Sequence, residues 1–195
     1  MKIIGMTGGV GAGKSAVLDY MANKYHAYIC KTDDVAMKLQ QPGELVYKRM
    51  VNHFGRQILN EDESLNREKL AGIVFRDEKE LQYLNQIIHP QVKDEIRKLI
   101  QVEESKGTKL FIVESALLVE DKYDAICDEM WYVYADESVR KRRLQFDRGY
   151  SEEKTDNIMK NQLDEDTFRR SCSIVIENSG DFELTKKQIH SYVEG

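Results

Sequence analysis

The chain is poor in the residues that build linkers, disulfide scaffolds and membrane spans. Only two of its 195 residues are proline, and it has no repeats and no low-complexity tract. No linker therefore separates independent domains, and a single domain with inserted subdomains is expected. The three cysteines, Cys30, Cys127 and Cys172, are odd in number, far apart and in no C-x-x-C arrangement. That excludes a disulfide framework and a zinc site, and suits a reducing compartment. No apolar run approaches the roughly 18 residues of a spanning helix, and the first strand begins within two residues of Met1. Neither a transmembrane helix nor a signal peptide is expected, and the expected location is the cytoplasm. The net charge of -5 argues against a general nucleic-acid binder. With 32% charged and 41% hydrophobic residues the surface is nonetheless heavily charged, so local basic clusters can still meet phosphates.

What is present is concentrated near the N-terminus. The apolar run Ile3-Ile4-Gly5-Met6 leads into Gly8-Gly9-Val10-Gly11-Ala12-Gly13-Lys14-Ser15: a strand, a glycine-rich turn and a helix start, in that order. This is the G-x-x-x-x-G-K-S pattern of a phosphate-binding P-loop. The glycines let backbone N–H groups turn inward around phosphate oxygens, and the following helix points its positive end at them. Lys14 supplies a mobile point charge and Ser15 a hydroxyl for Mg²⁺. An ordinary Gly-rich turn with a surface lysine explains neither the spacing nor the flanking elements.

After the loop, Val17, Leu18, Met21 and Tyr25 fall on one helical face, and a short strand over 27–30 completes a β-loop-α-β unit. Further strand-length apolar runs at 110–113, 131–134 and 174–176 bring the count to five. The expected fold is α/β, a five-stranded parallel sheet flanked by helices. The intervening stretch before residue 110 reads as an inserted helical subdomain. There Leu81, Leu84, Ile87 and Ile88 form one apolar stripe and Val92, Ile96, Leu99 and Ile100 another, with a helix break expected at His89-Pro90. From 137 to 170 the chain carries Arg140, Lys141, Arg142, Arg143, Arg148, Lys160, Arg169 and Arg170, which is consistent with either a solvated helix face or an arginine-bearing lid.

A P-loop alone does not distinguish a switch, a motor or a kinase. The guanine-reading N-K-x-D segment and the D-x-x-G switch of a GTPase are missing at suitable places. Glu114, after the strand at 110–113, can polarise water as in a motor ATPase. A small kinase instead needs a carboxylate near the second strand, an acceptor-binding insertion and a water-excluding lid, and the chain offers all three. Asp33 and Asp34 follow the second strand, where functional groups gather in parallel sheets. Their position alone leaves helix capping and chemistry equally open.

These residues resemble the dephospho-coenzyme A kinase family over almost the whole chain. The family's T-G-G-(I/V)-G-(S/A)-G-K-S looks like Thr7 to Ser15, and its D-A-D-x-(I/V)-A aligns with Lys31-Thr32-Asp33-Asp34-Val35-Ala36. Pro42-Gly43 fits its E-P-G. Arg67 to Phe75 and Leu84 to Val92 are similar to R-x-x-L-x-x-x-V-F and L-N-x-I-x-H-P-x-V. Ala116-Leu117-Leu118-Val119-Glu120 resembles P-L-L-(F/V)-E, and Gln162 with Val175-Ile176-Glu177-Asn178-Ser179-Gly180 matches its Q and V-I-(D/E)-N-(S/N)-G.

The resemblance implies a P-loop kinase-type fold and ATP-dependent phosphorylation of the ribose 3′-hydroxyl of dephospho-coenzyme A, with Mg²⁺. It implies one kinase domain over 1–195, with its core at 1–55, 107–136 and 171–195, an acceptor-binding helical insertion at about 56–106 and a lid at about 137–170. Catalysis would fall to Asp33, Lys14 and Arg148, with Arg143 a possible companion of Arg148. Nucleotide contacts would come from Gly9, Val10, Gly11, Ala12, Gly13, Lys14, Ser15, Ala16, Asn178 and Gly180, and the metal would sit on Ser15. Acceptor contacts would come from Asp33, Arg67, His89, Pro90 and Leu117. The sequence departs from the pattern at Lys31, Ala116, Phe168 and Ser173, and the family's arginine-aspartate before Gly149 is inverted to Asp147-Arg148. A kinase for another nucleotide or ribosyl acceptor, and a non-catalytic nucleotide-binding relative, are the alternatives at this point.

Overall fold

The computed structural model describes residues 1–195. Five strands, β1 (Lys2–Thr7), β2 (Tyr28–Lys31), β3 (Leu110–Glu114), β4 (Glu129–Tyr134) and β5 (Ile174–Glu177), form one sheet of order β2-β3-β1-β4-β5. β1 runs parallel to β3, with Ile3 opposite Phe111, and parallel to β4, with Met6 opposite Trp131; β4 runs parallel to β5. The expected strands are thus all present, each longer or shifted by one or two residues.

Nine helices connect them: α1 (Lys14–Tyr25), α2 (Thr32–Leu39), α3 (Leu45–Phe54), α4 (Arg67–Val74), α5 (Glu78–Ser105), α6 (Glu137–Arg148), α7 (Glu152–Lys160), α8 (Glu165–Ser171) and α9 (Phe182–Glu194). The chain folds as two compact units, one of residues 1–29 and 103–195, the other of residues 30–102.

In the first unit, strand alternation sorts the core onto two faces. Ile4, Met6, Leu110, Ile112, Trp131, Val133 and Ile176 pack with Val17, Leu18 and Met21 of α1 and Ile189 of α9. The opposite face buries Phe111, Val113, Met130 and Tyr132. Gly5 lies on that second face, where an added Cβ would come within 2.9 Å of Met130 Sδ and 3.0 Å of Cys127 Sγ, so a side chain there would have to displace its neighbours. Burial on both faces explains why these strands read as continuous apolar runs.

The second unit has its own core, in which Val46, Tyr47, Met50 and Phe54 of α3 meet Ile58, Leu59, Leu70 and Val74 together with Leu84 and Ile87 of α5. The apolar face of α3 packs against α4 and α5, so α3 shares the core of this unit.

The break expected at His89-Pro90 does not occur. α5 runs unbroken from Glu78 to Ser105 with Pro90 inside it. The buried residues Leu84, Ile87, Val92 and Ile96 lie on both sides of the proline, and their burial outweighs the local penalty of the missing N–H. Pro90 itself is exposed. Pro90→Ala is expected to raise stability by about 1–3 kcal/mol by restoring one helical hydrogen bond and removing the clash with the preceding turn. Denaturant unfolding at constant m-value checks this, and an unchanged or lowered midpoint contradicts it.

Candidate functional site

The sheet order reverses around β1, so the crevice at its carboxyl end is where a parallel sheet presents ligand-binding loops. The loop after β1 occupies that point. Gly8 follows the strand at φ 154°, and a Cβ there would lie 2.4 Å from the Val133 carbonyl oxygen. The loop can therefore run this close to β4 only as bare backbone. Gly13 stands at the N-cap of α1 with φ 90° and no side-chain cap. A side chain at that position would compete for the first-turn N–H groups of α1, so its absence leaves them available to an anion.

Within the loop, Ala12 N–H donates to the Gly9 carbonyl at 3.1 Å, and Lys14 Nζ donates to the Gly8 carbonyl at 2.6 Å. The N–H groups of Gly11, Gly13, Ser15 and Ala16 have no protein acceptor. These donors and the helix end make the loop a concave site for an anion. Ser15 and Ala16 are exposed in the first turn of α1.

Four side chains distant in sequence brace the loop. Asn178, 3% exposed, donates Nδ2 to the Ala12 carbonyl at 2.7 Å and accepts at Oδ1 from Thr185 Oγ1 at 3.0 Å. Arg143 donates Nη1 to the Ala12 carbonyl at 3.2 Å and Nη2 to the Asn178 carbonyl at 2.8 Å. Arg140 donates Nε to the Val10 carbonyl at 3.0 Å and Nη2 to Gln162 Oε1 at 2.5 Å, while Val10 N–H reaches the same oxygen at 3.2 Å. Burial pulls Arg140 below the ordinary guanidinium value.

Beside Arg140 lies a cavity of about 510 Å³, bordered by Tyr132 and Tyr134 of β4, Glu137 and Lys141 of α6, and Asp156, Met159 and Lys160 of α7. Lys141 ties α6 to α7 through Asp156 at 2.9 Å and also pairs with Glu137 one turn back in α6 at 3.0 Å. The Tyr134 phenol is pushed up to about 12, mainly by its 2.9 Å hydrogen bond to Asp136 and further by burial.

The structure thus brings Asn178 to the P-loop, where its amide bonds protein groups, whereas Gly180 has nothing within 4 Å of an added Cβ. Arg148 ends α6, exposed and with no hydrogen bond. Arg140 and Arg143 are the arginines on the loop. Their signal in the sequence was the i, i+3 spacing that puts both beside the buried Leu144, and the basic run around them obscured it. Gln162 was visible only as a motif match, and Thr185 was not visible at all.

Leu117 is exposed after β3. In the helical unit, Asp33 and Asp34 do not cap α2: the N-cap is Lys31, and both carboxylates stand exposed in the first turn, where the helix dipole favours them. Arg67 is the exposed first residue of α4, and His89 is half-buried in α5 next to the exposed Pro90. Two departures from the motif pattern have local explanations. Phe168 stacks on Tyr132 at 4.8 Å and 11°, and Ser173 exchanges hydrogen bonds with both main-chain groups of Met130.

A family model described as dephospho-CoA kinase matches residues 2–183 of the chain. The chain belongs to the dephospho-CoA kinase family. It is 35% identical to the dephospho-CoA kinase of Carboxydothermus hydrogenoformans over 97% of its length and 91% of that protein. It is 38% identical to the dephospho-CoA kinase of Aquifex aeolicus, over 100% of the chain and 97% of that protein. The solved dephospho-CoA kinase of Campylobacter jejuni shares the fold, with a TM-score of 0.72 at 18% identity over 100% of this chain and 96% of that one. Membership of the dephospho-CoA kinase family makes the chain an ATP-dependent kinase on a P-loop scaffold. No helix is long and apolar enough to cross a membrane.

Asn178→Ala removes the donor on the Ala12 carbonyl and one partner of Thr185. It is expected to destabilise the first unit by about 1–3 kcal/mol and to weaken ADP binding in the protein that remains folded. Calorimetry on the folded fraction separates the two effects, and wild-type values in both would remove Asn178 from the brace.

Proposed function

We propose that the chain transfers the γ-phosphate of ATP to the ribose 3′-hydroxyl of dephospho-coenzyme A, releasing coenzyme A and ADP. The observation that carries this reading is the family match over residues 2–183, which spans both the phosphate loop and the helical unit. The chemistry is a displacement at phosphorus: the hydroxyl oxygen bonds to the γ-phosphorus, the bond to the ADP oxygen breaks, and the hydroxyl proton leaves. Protein assistance to such a transfer is mostly positioning and charge stabilisation. The loop N–H groups of Gly11, Gly13, Ser15 and Ala16 hold the phosphates. Lys14 exchanges the Gly8 carbonyl for β and γ oxygens, where its charge is needed most.

Mg²⁺ fits this site. Ser15 offers an exposed hydroxyl in the first turn of α1, and no cluster of three His, Cys, Asp or Glu side chains competes as a protein cage. That donor set suits an ion held by one hydroxyl, phosphate oxygens and water. When bound, it neutralises charge on the β and γ oxygens. Asp33 orients the 3′-hydroxyl and takes its proton late, while Arg67, His89, Pro90 and Leu117 contact the acceptor. Arg148 closes over the phosphates, and Asn178 and Gly180 border the adenine. The working division is a core at 1–55, 107–136 and 171–195, an acceptor-binding part at about 56–106 and a lid at about 137–170. The three buried cysteines, none of them in a disulfide, suit a cytoplasmic, reducing location, and the acidic net charge fits a small-molecule substrate better than nucleic acid.

An ADP-release assay tests the reading directly. Release that depends on dephospho-coenzyme A is expected; release with other ribosyl acceptors and none with dephospho-coenzyme A would overturn it. Lys14→Ala should keep the fold and lose most turnover, and wild-type kcat in that variant contradicts the role given to the loop.

Asp33→Asn keeps shape but not charge. It should bind ATP and acceptor nearly normally yet turn over at least about 100-fold more slowly, with Asp34→Asn close to wild type. The reverse pattern would move the proton-accepting role to Asp34.

A further inference from the structure

The kinase reading assigns phosphate binding to the loop and lid closure to Arg148, and it leaves Arg140 without a task. Arg140 is nevertheless the side chain most closely fitted to the front of the loop. Its guanidinium lies against Gly9, where an added Cβ would sit 2.4 Å from Arg140 Cζ. Its Nε, the Val10 main chain and Gln162 Oε1 close a ring of hydrogen bonds: Arg140 Nε to Val10 O, Val10 N to Gln162 Oε1, and Arg140 Nη2 to that same oxygen. Both main-chain polar groups of Val10 are therefore held by side chains from 137–170.

In a trans peptide the carbonyl and the following N–H point in opposite directions. A donor that draws the Val10 carbonyl outward therefore turns the Gly11 N–H inward. Arg143 and Asn178 do the same for Gly13 N–H by holding the Ala12 carbonyl. Gly11 and Gly13 N–H are two of the loop donors without a protein acceptor. Glycine at 11 and 13 cannot fix these peptide planes by itself, because it adopts many conformations at similar energy. The arginines one helical turn apart supply the missing constraint, each on its own stretch of the loop.

We infer that Arg140 is a positioning residue for nucleotide binding. With Gln162 it sets the peptide plane between Val10 and Gly11, so that the Gly11 N–H faces the phosphates before they arrive. This rests on the loop being the site of ATP, as proposed above, but not on the identity of the acceptor. Arg140 touches no reacting atom; its effect passes through the orientation of one amide and through the tether it places between the loop and the segment carrying Gln162.

The test is calorimetric binding of ADP and ATP, with KM for each substrate and kcat, on Arg140→Ala, Arg140→Lys, Gln162→Ala and the Arg140→Ala/Gln162→Ala pair, all checked for folding by thermal unfolding. Arg140→Ala is expected to weaken ADP binding about tenfold or more, with the KM for dephospho-coenzyme A unmoved. Arg140→Lys keeps the charge but cannot span Val10 O and Gln162 Oε1 with one ammonium group, so it should fall with Arg140→Ala rather than with wild type. The double variant should be no worse than the weaker single, because both remove one ring.

Wild-type ADP affinity in folded Arg140→Lys or Arg140→Ala overturns the inference, as does full additivity of the two substitutions. A lowered melting temperature with unchanged affinity also overturns it, since that marks a purely structural arginine. If Arg140→Ala fails to fold, Arg140→Lys decides. Weakened ADP binding in a protein that does not phosphorylate dephospho-coenzyme A would sink the proposed reaction and leave this inference standing. Normal turnover with unchanged ADP affinity would do the opposite.

Discussion

Strand β1 is bonded on both edges, to β3 and to β4, and buried on both faces, and the rest of the first unit depends on that placement. A strand in that position has no freedom to shift, so the residues leaving its carboxyl end start from a fixed point and direction. They must turn at once into α1, whose Val17, Leu18 and Met21 pack against one face of the same sheet. The turn runs close to the Val133 carbonyl, which restricts it to backbone without side chains. Glycine richness in this loop is thus as much a packing requirement as a phosphate-binding one.

Backbone freedom that admits the close turn would also let the loop wander, and the structure counters it with contacts from far along the chain. Asn178 follows β5, and Arg140 and Arg143 sit on α6, which follows β4. The two strands next to and beyond β1 on one side therefore deliver the side chains that hold the loop carbonyls. Each such hydrogen bond has a charged donor or is buried, which raises its worth relative to a surface contact. The carbonyls of the loop are thus held by side chains brought from two other elements of the unit.

The helical unit follows a different logic. Its core forms from amphipathic helices alone, and α5 threads through it with a proline in mid-helix. Local chemistry argued for a break at that proline, yet apolar residues on both sides of it are buried by the same helix. Tertiary burial overrode a local penalty of a few kcal/mol, a frequent outcome when a long helix has a packed face.

Much of the fold was legible in the sequence because a doubly buried parallel sheet writes its strands as apolar runs, and because G-x-x-x-x-G-K-S between a strand and a helix has few other physical uses. The same was not true of the loop's braces. Arg140 read as a member of a basic run and Arg143 only as a companion of Arg148, since hydrophobic periodicity is silent about which charged residues turn inward, and Thr185 carried no pattern whatever. Asp33 and Asp34 read as caps or chemistry, and only the helix start at Thr32 removed capping. By itself the sequence determined the strand count, the phosphate loop and the membership of a kinase family, because these are encoded in local spacing and local motifs. Which arginines meet the loop and whether α5 breaks were decided by the tertiary structure alone, because both depend on which surfaces become buried together when distant parts of the chain pack.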